Sequence, residues 1–158
     1  MEQIWAPWRG KFVATAKYEG CIFCELPKAD KDREMLILHR GQEAFVVMNA
    51  YPYSAGHLMV TPFRHVASLE SLSPGERREI FELLAKCETV LTAAVKPEGF
   101  NIGLNLGRAA GAGADKHLHC HIVPRWVGDT NFMPVLADTR VINESLVETY
   151  DKLKEYFK

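Results

Sequence analysis

Short apolar runs alternate with one long amphipathic segment along this chain of 158 residues. Runs rich in β-branched and aromatic side chains, with turn residues at their ends, predict strands. In the long segment, Ser73 and Glu76 have the spacing of a capping box. Apolar residues from Ile80 to Ala94, Phe81 among them, then recur at helical spacing and predict one buried stripe. The predicted strands are 34–39, 43–49, 57–62, 100–107 and 116–124, and the predicted helices are 73–95 and 143–157.

The order of these elements favours an α+β domain. The predicted strands mostly follow one another through short turns, which is typical of an antiparallel sheet with helices packed against it. A chain of this length can bury a sizeable core in one domain. We therefore predict a single domain over 1–158, with an irregular N-terminal arm at 1–30 and a C-terminal loop and helix at 127–158.

Composition and charge exclude several classes of partner. Hydrophobic residues make up 47% of the chain, charged residues make up 25%, and the net charge is −1. This charge gives no broad positive surface, so we expect neither a nucleic-acid partner nor a membrane partner. No apolar run approaches the roughly 20 residues that cross a bilayer, and the N-terminal residues lack a charged-then-apolar signal pattern. We therefore expect a cytoplasmic protein.

The four cysteines fall into two groups. Cys87 and Cys120 stand in apolar patterns, which predicts two small core residues. Cys21 and Cys24 have the spacing of a zinc knuckle, in which two thiolates reach one ion. A redox pair or two ordinary cysteines would share that spacing. A disulfide framework is not expected, because the cytosol keeps thiols reduced.

Three of the six histidines, His117, His119 and His121, occupy alternate positions of one predicted strand. Alternate side chains share a face, so the three imidazoles face solvent or a cleft while the intervening apolar residues face the core. At ~3.3 Å per residue, His117 and His121 lie about 13 Å apart, too far for one ion to bind both readily. The pattern favours metal binding, proton and nucleophile chemistry, or both, over an incidental polar face, and predicts different roles for the three rings.

The segment "HLHCHIV" matches the pattern His-φ-His-φ-His-φ-φ, with Cys120 as its least typical apolar position. It resembles the motif of the histidine triad (HIT) family of nucleotide hydrolases and nucleotidyl transferases. The resemblance extends over 46–72 and 103–126, and covers roughly residues 20 to 126. The flanking segments "IWAPWR" and "GDTNFMP" are similar to a branch associated with diadenosine tetraphosphate phosphorylase activity. The resemblance implies a five-stranded antiparallel sheet and a homodimer.

The resemblance also implies catalytic roles. The middle histidine of the family is the nucleophile, so His119 is expected to attack the α-phosphorus of a bound nucleotide and form a nucleotidyl-histidine. A backbone carbonyl on the same strand fixes its tautomer in the family. His121 is expected to contact the phosphate and the leaving oxygen. His57 matches a family histidine that supports the site, and a purely structural role in the sheet remains an alternative.

Binding residues follow from the same comparison. Asn49 matches the position that contacts the ribose hydroxyls, and Asn105 matches an asparagine near the phosphates. Gly113 and Ala114 stand where many family members carry Gln and Ser or Thr. Help for the leaving group must therefore come from elsewhere, such as Lys116 or backbone N–H groups of the glycine-rich turn at 107–115, which can cradle phosphate oxygens.

Some bacterial triad proteins, and the related galactose-1-phosphate uridylyltransferases, complete a cysteine pair with two histidines. The resemblance assigns these roles to His65 and His117, and so implies a structural Zn²⁺ bound by Cys21, Cys24, His65 and His117. His119 then stays available for chemistry.

Together these features predict an enzyme that acts on a nucleotide at its α-phosphate, with diadenosine tetraphosphate or a related dinucleoside polyphosphate as substrate. A nucleoside phosphoramidase with the same mechanism is the second prediction. A nucleotide-binding or zinc-organised interaction module without turnover is the third.

Overall fold

The computed structural model describes residues 20–130, 132 and 144–158. Its strands are β1 (Ile37–Arg40), β2 (Ala44–Met48), β3 (Leu58–Pro62), β4 (Gly99–Leu104) and β5 (Cys120–Arg125), and its α-helices are α1 (Ile22–Glu25), α2 (Pro74–Val95) and α3 (Leu146–Lys154). The strands form one antiparallel sheet in the order β1-β2-β3-β5-β4. The predicted α+β class, with a five-stranded antiparallel sheet, is confirmed.

Strand β5 lies between β3 and β4, and this position sets the surroundings of its histidine. Met59 of β3 and Gly103 of β4 are the partners of His121 in the two ladders. Side chains alternate across a sheet, so Cys120 and Ile122 point to the opposite face, where they join the buried core. The predicted alternation of histidines and apolar residues therefore holds around β5.

Helix α2 begins as predicted. The Ser73 hydroxyl accepts a hydrogen bond from the Glu76 amide at 3.0 Å, and the Glu76 carboxylate accepts one from the Ser73 amide at 2.7 Å. Ile80 belongs to the buried stripe of this helix. The prediction that Phe81 shares the stripe is wrong, because Phe81 lies about 100° around the helix axis from Ile80 and is 76% exposed.

The two edges of the sheet differ. Helix α3 covers the edge at β1, where the Tyr150 hydroxyl donates to the Ile37 carbonyl at 3.0 Å and the Lys154 ammonium donates to the Leu38 carbonyl at 2.8 Å. At the other edge, no described strand pairs with the outer side of β4, and Ile102 is 49% exposed. Within the described part of the chain, the sheet therefore has one covered edge and one open edge.

Several element boundaries differ from the prediction. The strand predicted at 116–124 begins only at Cys120, because the ladder with β4 ends at the pair Leu104 and Cys120 and the ladder with β3 ends at the pair Val60 and Cys120. Strand β1 begins at Ile37, after a turn in which Leu36 has a φ of 60°. Within the arm predicted as irregular, residues 22–29 form one turn of α-helix and one of 3-10 helix, whereas residues 1–19 lie outside the described part.

The two cysteines predicted for the core are both buried there. Burial raises the pKa of the Cys87 thiol to about 12 and that of Cys120 to about 11, so both stay protonated at neutral pH. Among the described helices, none combines the length and apolar character needed to cross a membrane.

Candidate active site and metal centre

The middle histidine of the triad is held in one orientation by its own segment. His119 Nδ1 lies 2.8 Å from the backbone oxygen of His117. A carbonyl oxygen can only accept, so Nδ1 carries the hydrogen and donates it. In the neutral ring the lone pair then lies on Nε2. The backbone thus leaves Nε2 as the ring nitrogen of His119 that could act as a nucleophile.

All three triad histidines are buried, so of the two predicted surroundings, solvent or a cleft, the face does not meet open solvent. The ring of Phe23 covers His119 with a centroid separation of 4.8 Å, and His119 is 6% exposed. His121 lines a cavity of about 290 Å³, and its ring lies 4.9 Å from that of His119. The site is therefore a covered one, in which His119 lies one ring behind the cavity wall.

A chain of hydrogen bonds sets the protonation of the third histidine. The Tyr53 amide donates to His57 Nδ1 at 3.0 Å, so neutral His57 carries its hydrogen on Nε2. His57 Nε2 lies 2.9 Å from His121 Nδ1 and donates to it. His121 consequently carries its own hydrogen on Nε2. That buried N–H has no partner among the described residues, which leaves it available for a ligand.

Burial keeps both histidines of this chain uncharged. It lowers the pKa of His57 to about 3, with smaller contributions from the nearby His121 and His119. Burial also lowers the pKa of His121 to about 4, again with a contribution from His119. At neutral pH His121 therefore acts as a neutral donor through Nε2.

The predicted binding residues do not all meet at the cavity. Asn105 lines it together with His121, whereas Asn49 lies behind His57 and its Oδ1 accepts a hydrogen bond from the Tyr51 amide at 2.8 Å. The other three predicted residues of this group do not line the cavity: they are the exposed Gly113, the half-buried Ala114 and the exposed Lys116.

The four predicted metal ligands do come together. Their donor atoms, the sulfurs of Cys21 and Cys24 and one ring nitrogen each of His65 and His117, all lie within 4.8 Å of one another. Cys21 Sγ is 3.2 Å from His117 Nδ1, and Cys24 Sγ is 3.3 Å from His65 Nδ1. A tetrahedral zinc ion with two sulfur and two nitrogen ligands places its donors roughly 3.3–3.8 Å apart, so this donor set fits zinc.

Local structure explains how the ligands meet. The two thiols are brought to one side by the single turn of α1, in which the Cys24 amide donates to the Cys21 carbonyl at 3.0 Å. His117 Nε2 donates to the Pro62 carbonyl at 2.9 Å, which leaves the Nδ1 lone pair free for a metal. Burial lowers the pKa of His117, and the neutral ring is the form that binds metals.

Two aromatic residues belong to the site although the sequence analysis does not single them out. Phe23 packs on both His119 and His117, and Tyr53 packs on both His57 and His121. The sequence positions of both could have pointed to the site, because Phe23 stands inside the Cys-x-x-Cys turn and Tyr53 stands four residues before His57.

The fold and the buried triad define a histidine triad protein, and comparison with known families agrees. A model of the HIT domain matches residues 31–127. The chain belongs to the HIT family.

Two relatives illustrate the range of named activities in this neighbourhood. The AP-4-A phosphorylase of Mycobacterium tuberculosis is 38% identical over 158 residues, which cover 94% of this chain and 80% of the relative. An adenosine 5′-monophosphoramidase of Schizosaccharomyces pombe is 35% identical over 106 residues, which cover 67% of this chain and 74% of the relative. The prediction of a HIT-family enzyme is confirmed by these similarities.

Solved structures show the same fold. A Zn-bound histidine triad protein of Mycobacterium smegmatis superposes with a TM-score of 0.71 at 22% identity and covers 87% of this chain and 93% of its own. A histidine triad nucleotide-binding protein of Sulfolobus tokodaii gives a TM-score of 0.69 at 25% identity, with coverages of 87% and 91%.

Proposed function

We propose that this protein cleaves dinucleoside polyphosphates at the α-phosphate, with diadenosine tetraphosphate as the expected substrate, through a nucleotidyl-histidine on His119. The observation that carries the proposal is the hydrogen bond from His119 Nδ1 to the His117 carbonyl, which leaves Nε2 as the nucleophile. Similarity to an AP-4-A phosphorylase over most of the chain supports the substrate class.

In the first step the Nε2 lone pair of His119 forms a bond to the α-phosphorus. The bond from phosphorus to the bridging oxygen breaks, and its electron pair leaves with the outgoing nucleotide. The His119 ring becomes cationic, and the His117 carbonyl stabilises it through the Nδ1 hydrogen. The Nε2 hydrogen of His121, which is buried without a described partner, would donate to the phosphate or to the departing oxygen.

In the second step an acceptor oxygen attacks the same phosphorus. The bond to Nε2 breaks, and its electron pair returns to His119. Water as acceptor gives up a proton to the solvent, whereas inorganic phosphate attacks through an oxygen that is already ionised. Water as acceptor releases AMP, and inorganic phosphate releases ADP. For the substrate we propose contacts from Asn105 at the phosphates, from Asn49 toward the ribose, and from Gly113, Ala114 and Lys116 at the glycine-rich turn. The cavity position of Asn105 supports the first of these.

We further propose that Cys21, Cys24, His65 and His117 hold a structural Zn²⁺. All four positions of a tetrahedral site are supplied by the protein, so the ion would cross-link α1 to the segment before β5 and leave no position for substrate. Two metal-binding thiolates need a reducing compartment, which supports the cytoplasm as the location.

We also propose a homodimer formed through the open edge of the sheet. A groove of about 620 Å³ between α2 and β4 has apolar walls that include the exposed Leu69, Phe81 and Ile102. An unpaired strand edge next to exposed apolar side chains is typical of a surface that pairs with a second chain. Sedimentation of the purified protein at micromolar concentration tests this, and a monomer there would contradict it.

Product analysis tests the proposed activity. Diadenosine triphosphate, diadenosine tetraphosphate and adenosine 5′-phosphoramidate are incubated with the protein, with and without inorganic phosphate. We expect ATP with AMP in the absence of phosphate, or ATP with ADP in its presence, from the tetraphosphate. His119→Ala should abolish turnover and the AMP adduct that mass spectrometry detects, whereas the control His39→Gln should retain both.

Other outcomes of the same experiment choose between the functions. Turnover of the phosphoramidate alone would favour a nucleoside phosphoramidase, which the relative from Schizosaccharomyces pombe makes the second candidate. Nucleotide binding without turnover of any substrate would indicate a binding module. An AMP adduct on a histidine other than His119 would refute the proposed nucleophile.

A further inference from the structure

One face of the β4–β5 ladder carries a trough that runs from His121 toward Arg125. Alternate residues share a face, so these two side chains lie on the same side of β5. Gly103 is the ladder partner of His121, and Asn101 lies two residues before it on β4. All four residues line the cavity of about 290 Å³. The trough is therefore the outer continuation of the space beside His121.

The glycine in the trough has no explanation within the protein itself. A Cβ atom placed on Gly103 would meet no other atom within 4 Å, and Gly103 is not among the glycines with a positive φ. Neither packing nor backbone conformation thus requires glycine, although glycine weakens a strand. Such a position is expected where a ligand approaches the backbone closely.

Hydrogen-bond donors stand at both ends of the trough. At the inner end, the buried Nε2 hydrogen of His121 has no described partner. At the outer end, the half-exposed guanidinium of Arg125 donates to Asn101 Oδ1 at 2.7 Å and to both carboxylate oxygens of Asp129. Four residues of strand separate the two donors, or about 13 Å between backbones. Gly103 lies opposite the inner donor, and the pair Asn101 and Val123 lies between the two donors. Donors at both ends of one cavity suit an extended anion.

We propose that this trough binds the polyphosphate of the outgoing nucleotide, with Arg125 as the residue that contacts its distal phosphates. The proposal rests on the proposed function, because it places the α-phosphorus next to Nε2 of both His119 and His121. A leaving nucleoside polyphosphate would start beside His121 and Gly103, pass Asn101 and Val123, and reach the guanidinium, where it would replace the Asp129 carboxylate. An amide leaving group is too short to reach it. The trough therefore selects substrates by the length of the leaving group.

Affinities for ATP and AMP test the trough without requiring turnover. With its α-phosphate at the triad, ATP places two further phosphates in the trough, whereas AMP places none. Calorimetry should show that Arg125→Gln lowers the ratio of ATP affinity to AMP affinity by about tenfold, as expected for a lost charged hydrogen bond. Arg78 is an exposed arginine on the surface of α2, so the control variant Arg78→Gln should keep the ATP-to-AMP affinity ratio of the unaltered protein.

Two more variants separate ligand binding from a structural role of the Arg125–Asp129 pair. Asp129→Asn frees the guanidinium, so the ATP-to-AMP ratio should stay level or rise. If the pair served only to hold the turn, Asp129→Asn would lower the ratio as Arg125→Gln does. Gly103→Ala fills the trough, so the ratio should fall severalfold while the melting temperature stays level or rises.

Kinetics provide an independent readout. The ratio of kcat/KM for diadenosine tetraphosphate to that for adenosine 5′-phosphoramidate should fall about tenfold in Arg125→Gln. Three results would each overturn the proposed polyphosphate site. The first is an equal loss of kcat/KM for both substrates, the second is an affinity ratio within twofold of that of the unaltered protein, and the third is an effect confined to the KM of inorganic phosphate. Absence of turnover by the unaltered protein would refute the proposed function, and the calorimetric ratios would still decide on the trough.

Discussion

The two flanks of His119 are built from similar residues but differ in chemistry. On one flank, His117 joins His65, Cys21 and Cys24 in a compact set of donor atoms that fits a metal ion. On the other, His121 is hydrogen-bonded to His57, and burial lowers the pKa of both rings. We infer that the first flank holds the nucleophile in place and that the second contacts the substrate.

The difference between the flanks comes from what the second nitrogen of each ring meets. His117 donates from Nε2 to the Pro62 carbonyl, and its Nδ1 faces the sulfur of Cys21 in the proposed metal site. His119 uses Nδ1 on a backbone carbonyl and keeps Nε2 as a nucleophile. His121 accepts at Nδ1 from His57 and keeps Nε2–H as a donor. We therefore infer that one repeated residue serves as a metal ligand, a nucleophile and a hydrogen-bond donor, because the partners fix the Nε2–H tautomer in His117 and His121 and the Nδ1–H tautomer in His119.

The largest effect is expected from removing one of the four proposed metal ligands on the His117 side of His119. Cys24→Ser should reduce bound zinc far below one ion per chain and lower the free energy of unfolding by several kcal/mol, because metal binding and folding are coupled. Elemental analysis and denaturant unfolding measure the two effects. Cys87→Ala, a change of a buried cysteine outside the site, is the matched control and should keep its zinc. Full zinc content in Cys24→Ser would exclude Cys24 as a ligand.

Sequence reasoning predicts the two flanks unequally well. Cysteine spacing and the resemblance to the histidine triad identify all four residues of the cluster that could hold a metal, because few residue types bind zinc and their spacing is distinctive. The cavity flank depends on backbone groups that carry no residue signature, such as the Tyr53 amide that fixes His57. The strand predicted through His117 and His119 likewise begins only at Cys120, because a strand is defined by its pairing and neither neighbouring ladder extends further.

Burial of the triad is the other feature that the sequence pattern does not reveal. Alternation identifies two faces of a strand, but it does not tell whether a second layer covers the polar one. Here the covering residues, Phe23 and Tyr53, come from segments far from the triad in sequence. The same alternation correctly places Cys120 and Ile122 in the core.

A smaller effect, on rate and not on stability, is expected from the cavity flank. His121→Ala removes a preorganised donor to the phosphate or the leaving oxygen, so kcat should fall about 10²–10³-fold. Zinc content should equal that of the unaltered protein, because His121 is not among the donor atoms of the metal set. Steady-state kinetics with diadenosine tetraphosphate and metal analysis of the same sample check both statements. A loss of zinc would show that the flanks are not separate.

The smallest effect is expected one residue further out, at His57. His57→Phe leaves His121 Nδ1 without its donor, so the His121 tautomer is no longer fixed and kcat should fall roughly tenfold. His57→Gln keeps an N–H that can donate to His121 and should recover part of this loss. Equal kcat values in the two variants would show that the hydrogen bond from His57 is unimportant.

The free energy of unfolding at mildly acidic pH reports on the protonation of His57, independently of the hydrogen bond that His57 donates to His121. The pKa of His57 is about 3 in the folded chain, well below the ordinary value of 6.5, so below pH 6.5 the unfolded chain binds a proton that the folded chain excludes. The free energy of unfolding therefore falls as the pH drops from 6.5 toward 3. Both Phe and Gln at position 57 remove that proton, so between pH 6 and 5 each variant should lose about 1.4 kcal/mol less per pH unit than the unaltered protein. Denaturant unfolding across this range measures the slopes, and equal slopes in all three proteins would mean that His57 is protonated as readily in the folded chain as in the unfolded one.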